Sequence, residues 1–320
     1  MQRQYEFEIR QAGREWSRQF HNVVRSFAKT VTEPITNSDT SYKRKFNLSH
    51  SSGLVELILT QPQGTKLDSS ELKKKLGAST GKREIKIHLY TAKGHDKQPR
   101  LCEVVDFAEG LSSQELRAAF EEFAADKSTV SKYQPGRSLF GRGVMDVLLG
   151  HKEGRFFSHK DGVLSCASFY FDMKRGAPRV RIEELDSGRK HLDPLHLNPK
   201  SNGSCVQVLL HEDCAIPDEG TIVPVLSQFY MLRLINSDPS VNVRLVRYRA
   251  QRQIYDDLLE YNFPIGDVIA KFSFELSIPT SFTSKAIPPL KINGVICRAS
   301  IGSLKGREAK DARENGLLLV

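Results

Sequence analysis

Residues 101–120, LCEVVDFAEGLSSQELRAAF, change backbone state twice within one short stretch. Residues 101–106 form an apolar run that closes on a carboxylate, which predicts a buried strand. Phe107-Ala108-Glu109-Gly110 then turns the chain, with Gly110 free to adopt conformations that other residues avoid. Ser112-Ser113-Gln114-Glu115 has the spacing of a capping box, so a helix opens there. Its apolar face is Leu116, Ala119, Phe120 and Phe123. A strand, a turn and a capped helix in that order predict an α+β fold, with Asp106 at the end of a sheet strand.

Working outward, residues 14–42 carry the strongest helical periodicity. Phe20, Val23, Val24, Phe27, Val31 and Ile35 recur at helical steps and define one buried face. Pro34 removes a backbone donor, predicting a kink or a fresh helix start at Thr32. Strands are predicted at 54–60 and 85–90, a short helix at 68–76, and turns at 93–100. A loop rich in Ser, Gly and basic residues spans 126–142. A helix then begins at a glycine, with Val144, Met145, Val147 and Leu148. Strands at 154–158, 163–171, 180–185, 204–211 and 221–226 follow as a mostly antiparallel run. A second region begins near Met231, with a short helix and strands at 243–248 and near 272–278. The last four residues, Leu317-Leu318-Leu319-Val320, read as the start of a strand, so the chain is expected to be the N-terminal part of a longer protein.

Composition bounds the possibilities. The chain has 320 residues, 39% hydrophobic and 27% charged, enough for one large domain or two ordinary ones. No apolar run reaches membrane-spanning length, and the N-terminus MQRQYEFEIRQAGREW lacks a signal-peptide core. A cytoplasmic protein is expected, or a nuclear one in a eukaryote. The five cysteines, Cys102, Cys166, Cys205, Cys214 and Cys297, are scattered, odd in number and contain no CxxC pair. This argues against a disulfide framework and a structural zinc site. The nine histidines form no HExxH pattern. The net charge of +9 and pI near 9.2 come from short clusters such as Lys43-Arg44-Lys45, Lys73-Lys74-Lys75 and Lys174-Arg175. Without interleaved aromatic residues these read as solvated faces first, and as a nucleic-acid surface second.

Four short motifs carry chemistry. In Glu33-Pro34-Ile35-Thr36-Asn37 the carboxylate and the carboxamide are four residues apart and share a helix face, so one can reach a water and the other a metal. In Val104-Val105-Asp106-Phe107-Ala108-Glu109-Gly110 an apolar strand delivers an aspartate into a turn that ends in glycine, ahead of a capped helix. In Leu139-Phe140-Gly141-Arg142-Gly143-Val144 two bare glycines open a helix, where phosphate oxygens can approach backbone N–H groups. Gly220-Thr221 opens the strand expected at 221–226. Each motif alone is common: an exposed polar pair, a strand-to-helix turn, a flexible turn and a strand start.

In this order and on these elements, the four motifs resemble those of the GHKL ATPases, the group that includes gyrase B, MutL, the MORC ATPases and the ninety-kilodalton heat-shock chaperones. The resemblance covers roughly residues 14–230. It implies a Bergerat-type two-layer α/β sandwich, a mixed and largely antiparallel sheet with helices on one face, binding and hydrolysing Mg²⁺-ATP. Glu33 would be the general base, Asn37 the Mg²⁺ ligand and Asp106 the acceptor of the adenine amino group. Gly110 and Thr221 would lie beside the adenine, and Gly141, Gly143 and Val144 beside the phosphates, under a lid formed by 127–138. The chain departs from the pattern at Ala108, where the family prefers glycine, and in an insertion at about 43–84. The domain boundaries expected are 1–230 for the ATPase and 231–320 for the start of a transducer-like domain. Lys285, Lys291 and Lys305 are the candidates there for contact with the γ-phosphate. ATP-dependent homodimerisation driving a larger machine is the implied mode of action. The alternatives are a non-hydrolysing nucleotide-gated scaffold for DNA or protein, a histidine-kinase catalytic domain, and an unrelated α/β domain. Glu33 ahead of Asn37 favours a hydrolase over the kinase, and His21 is too close to the pocket elements to serve as its phosphoacceptor.

Overall fold

Helix α1, Phe27–Lys45, buries Phe27, Val31 and Ile35 at four-residue steps, as the periodicity requires. The computed structural model to which it belongs describes residues 4–8, 25–48, 62–64, 66–67, 83–91, 100–121, 143–175, 177–261, 266–276 and 290–299. Phe20, Val23 and Val24, the strand expected at 54–60 and the helix expected at 68–76 lie outside these residues. The break expected at Thr32 is not seen, because α1 runs through Pro34 as one helix. Threonine hydroxyls reinforce the turns around the missing proline donor: Thr32 Oγ1 donates to Ala28 O at 2.6 Å and Thr36 Oγ1 to Glu33 O at 3.0 Å.

The described strands of the first unit form one sheet in the order β1-β7-β6-β5-β8-β4-β3-β9-β10. They are β1 (Gln4–Glu8), β3 (Arg83–Thr91), β4 (Leu101–Asp106), β5 (Glu153–Lys160) and β6 (Val163–Asp172). β7 (Ala177–Leu185), β8 (Gly203–Leu209), β9 (Val241–Arg249) and β10 (Arg252–Leu258) complete it. Every neighbouring pair is antiparallel except β3 and β9, which run parallel. The protein is therefore α+β, built on a large mixed open sheet with few helices.

Alternation along the strands separates two cores. On one face α1, α2 (Ser113–Phe120) and α3 (Gly143–Gly150) cover Val104, Ile85, Ile87, Val206, Val180 and Ile182. On the other, the short helix α4 (Arg189–Leu192) and a 3-10 turn at Asp193–Leu195 bring Leu192, Leu195 and Leu197 onto Val105, Phe157 and Leu164. The capping box at Ser112 forms as its spacing predicts, with Glu115 N and Ser112 Oγ 3.3 Å apart and Ser112 N donating to Glu115 Oε2 at 2.7 Å.

One expected strand is a helix. Residues 221–226 lie in α5 (Glu219–Gln228), followed by α6 (Arg233–Asn236). Asp218 N-caps α5 in extended conformation, and its carbonyl accepts from Thr221 N and Ile222 N at 2.9 Å each. The apolar run that suggested a strand places Ile222 and Leu226 four residues apart on one buried helix face.

The chain divides into two compact units. The first comprises residues 1–50, 80–236 and 240–261, so β9 and β10, beyond residue 230, belong to it. The second comprises 51–79, 237–239 and 262–320. It holds a three-stranded antiparallel sheet in the order β12 (Leu290–Ala299), β11 (Gly266–Leu276), β2 (Lys66–Leu67). β2 comes from the segment read as an insertion at 43–84. Cys102, Cys166, Cys205 and Cys214 are buried free thiols. No described helix is long and apolar enough to cross a membrane.

Candidate functional site

Asp106 ends β4 with its side chain on the helix-covered face, only 3% exposed. Its Oδ2 accepts from Ser38 Oγ at 2.7 Å and from Ser204 Oγ at 2.5 Å, and its Oδ1 accepts from Ala108 N at 2.9 Å. The β4–β8 register places Ser204 directly beside Asp106. Burial pushes the Asp106 carboxyl above the usual carboxylate range, while the Ser204 hydroxyl, the Ala108 amide and the Ser38 hydroxyl pull it back. The Ser204 backbone amide lowers it as well, so four donors converge on this one carboxylate.

Two glycines let the backbone close around this carboxylate. A Cβ on Gly203 would stand 2.3 Å from Asp106 O, so a side chain there would prise β8 off β4. Gly110 has φ of 64°, and a Cβ there would stand 2.4 Å from His159 O. Gly110 thus seats the turn against the β5–β6 hairpin, a packing role visible without any ligand. Ala108, the departure noted in the motif, is fully buried and contributes its amide to Asp106.

Helix α1 touches this turn along one polar stripe. Ser38, Ser41, Tyr42 and Lys45 follow the three- and four-residue spacing of a helix face. Tyr42 Oη accepts from Phe107 N at 2.9 Å and donates to Glu84 O at 2.7 Å. Glu109 N donates to Ser41 Oγ at 3.4 Å, and Lys45 Nζ donates to Phe107 O at 2.6 Å and Ala108 O at 3.0 Å. Arg44 pairs with Glu109 at 2.9 Å on the exposed rim. Deeper in, Asp39 bridges Lys43 at 2.8 Å and Arg83 at 2.9 Å, all three side chains buried, which fixes α1 to the start of β3.

The other end of α1 meets the glycine that opens α3. A Cβ on Gly143 would lie 1.8 Å from Glu33 Oε2, so the Glu33 carboxylate occupies the space that only a glycine leaves. Burial raises the Glu33 carboxyl above its ordinary range, and the nearby Asp146 carboxylate of α3 raises it further. Asn37, half-buried, stands one turn beyond Glu33. Glu33 and Ser38 are separated by about 7.5 Å of helix rise. One helix therefore addresses both the α3 glycine and the Asp106 carboxylate. Val144 is half-buried in the first turn of α3.

Several residues expected near these groups are placed differently or lie outside the described residues. Thr221 is exposed on α5, its Oγ1 donating to Asp218 O at 3.2 Å, and is not among the partners of Asp106. The hydroxyl on a strand beside Asp106 is Ser204, preceded by Gly203. A serine opening the strand predicted at 204–211 was visible in the sequence, but only the β4–β8 pairing reveals what it faces. Ser38 was likewise visible next to Asn37, without any local sign that it reaches Asp106. Gly141 lies outside the described residues, as do the expected lid at 127–138, Lys285 and Lys305. Lys291 is on β12 of the second unit. Among the described residues, no group of three or more His, Cys, Asp or Glu side chains is arranged to hold a metal ion.

Set against models of known protein families and against curated proteins, the chain gives no match.

Proposed function

We propose that the first unit is a nucleotide-binding module, with the base held at Asp106 and the phosphates at the N-terminus of α3. More specifically, we infer a GHKL-type ATPase with a Bergerat-type fold, in which Mg²⁺-ATP is bound and hydrolysed. One observation carries this. Helix α1 braces a buried carboxylate, Asp106, through Ser38, and the same helix carries Glu33, whose carboxylate is lodged against Gly143.

In this function Asp106 Oδ1 takes the amino group of adenine, and the hydroxyls of Ser38 and Ser204 counter the effect of burial on the carboxyl and aim it. The Gly143 and Val144 amides, free of intrahelical acceptors at a helix start, receive phosphate oxygens, which the helix dipole also favours. Glu33 takes the proton of the attacking water, and its raised pKa brings it closer to the working pH of a general base. Asn37 would hold Mg²⁺ through its carboxamide oxygen, a hard ligand suited to that ion. The metal would supply charge neutralisation at the phosphates. Positioning and charge stabilisation dominate phosphoryl transfer, and a single helix that sets Glu33, Asn37 and Ser38 in fixed relation serves that need. A transducer role for the second unit, ATP-driven dimerisation and a lysine from residues 285, 291 or 305 belong to the same proposal.

The test is one substitution. Glu33→Ala is expected to bind ATP as the unmodified protein does and to lose turnover. Turnover that survives in Glu33→Ala removes Glu33 as the base.

A further inference from the structure

Tyr42 is buried to 3% exposure, yet its hydroxyl is committed to main chain on two different elements. It accepts from Phe107 N, the first residue past Asp106, and donates to Glu84 O on β3. Its aromatic ring stacks on Phe46 at 6.1 Å between centroids. Burial pushes the phenol up to about 12, so the hydroxyl keeps its proton and remains a donor across the neutral range. The peptide that follows is held as well, since the Phe107 carbonyl accepts from Lys45 Nζ. The next amide, Ala108 N, is the donor that orients Asp106 Oδ1. Movement of the Phe107 backbone would carry the Ala108 amide, which shares a peptide with the Phe107 carbonyl, away from that oxygen.

We propose that Tyr42 is a positioning residue for base recognition: it fixes the Phe107 N–H, and through the Phe107 backbone the Ala108 amide that aims Asp106 Oδ1 at the base. The idea rests on the nucleotide-binding function proposed above. Tyr42 touches neither the base nor the phosphates. Its effect travels through the turn, so it appears in affinity and not in the chemical step. Lys45 acts on the next two peptides of the same turn, from the exposed side.

The experiment compares Tyr42→Phe, Asp106→Asn and the double variant, with Mg²⁺-ADP as the calorimetric probe and ATP turnover alongside. Tyr42→Phe keeps the ring and removes only the hydroxyl. Its Kd for ADP is expected to rise about five- to tenfold, with kcat at saturating ATP unchanged. Added to Asp106→Asn, the Tyr42→Phe change is expected to cost nothing more, because the group it orients is already gone. A structural role alone would give losses that multiply, and that result overturns the proposal, as does an unchanged Kd in Tyr42→Phe. Lys45→Met, which leaves the core intact, is read in the same way should Tyr42→Phe fail to fold, with a smaller rise in Kd. If Asp106→Asn binds ADP as the unmodified protein does, the nucleotide function fails and takes the proposal with it. If Asp106→Asn loses binding while Tyr42→Phe and Lys45→Met do not, only the positioning role fails.

Discussion

Replacing Gly143 with alanine adds one methyl group exactly where Glu33 places its carboxylate, and it separates catalysis from stability. The added Cβ would lie 1.8 Å from Glu33 Oε2, 2.2 Å from its Cδ and 2.7 Å from its Cγ. Ordinary contact begins near 3.4 Å, so the carboxylate must retreat by about 1.5 Å. The obstacle is the end of a flexible side chain, so the rest of the fold need not yield. Alanine in a helix is favoured over glycine by up to about 1 kcal/mol. The expected result is a melting temperature that holds or rises, together with a turnover reduced about 100-fold, the scale associated with a misplacement of about 1 Å. Affinity for ADP at the base end should change little. Steady-state ATPase assays and thermal denaturation on the same preparation read both quantities. Wild-type turnover in Gly143→Ala would refute the placement of Glu33 at the reacting centre. A large fall in melting temperature would show that the clash is borne by the backbone instead.

Other consequences follow from the same geometry. Gly110→Ala meets both a left-handed backbone at φ of 64° and the His159 carbonyl oxygen at 2.4 Å, so urea denaturation should show a loss of roughly 2–4 kcal/mol. Asp39→Ala removes the carboxylate that buried Lys43 and Arg83 share, and a loss of about 3–5 kcal/mol is expected in the same assay, against near-neutral substitutions of the exposed Glu109. His151 is lowered to about 4, mainly by burial, with Thr30 Oγ1 at 3.0 Å from its Nε2 and His211 N donating to its Nδ1. A depressed histidine contributes stability that is present above its unfolded value of 6.5 and is lost as pH falls from there toward 4. The loss amounts to something on the order of 3 kcal/mol. Comparing urea stability at pH 7.5 and 4.5, the unmodified protein should lose more than His151→Gln.

Sequence alone made local chemistry legible and left non-local pairing hidden. The α1 face of Phe27, Val31 and Ile35, the capping box at Ser112, the strands around Asp106 and the α3 start at Gly143 all follow from spacing within one element. Pro34 and residues 221–226 misled because tertiary context outweighs local propensity. Around Pro34, threonine hydroxyls bond back to the preceding turn, and a short apolar run becomes a helix where Ile222 and Leu226 pack into the core. The partners of Asp106 could not be read at all. Ser38 reaches it from sixty-eight residues away in sequence and Ser204 from ninety-eight, and which residues meet depends on the pairing of β4 with β8. Glu33 and Gly143 were both singled out, yet their contact across 110 residues belongs to the packing of α1 on α3, which no periodicity specifies.

The central claim is that Asp106 receives an amino group from a purine base. Calorimetric titration of the unmodified protein and of Asp106→Asn with ATP and with inosine triphosphate, which lacks that amino group, addresses it directly. The unmodified protein is expected to bind ATP at least about tenfold more tightly than inosine triphosphate, and Asp106→Asn to lose the preference. Equal affinity of the unmodified protein for the two nucleotides, or no binding of either, would contradict it.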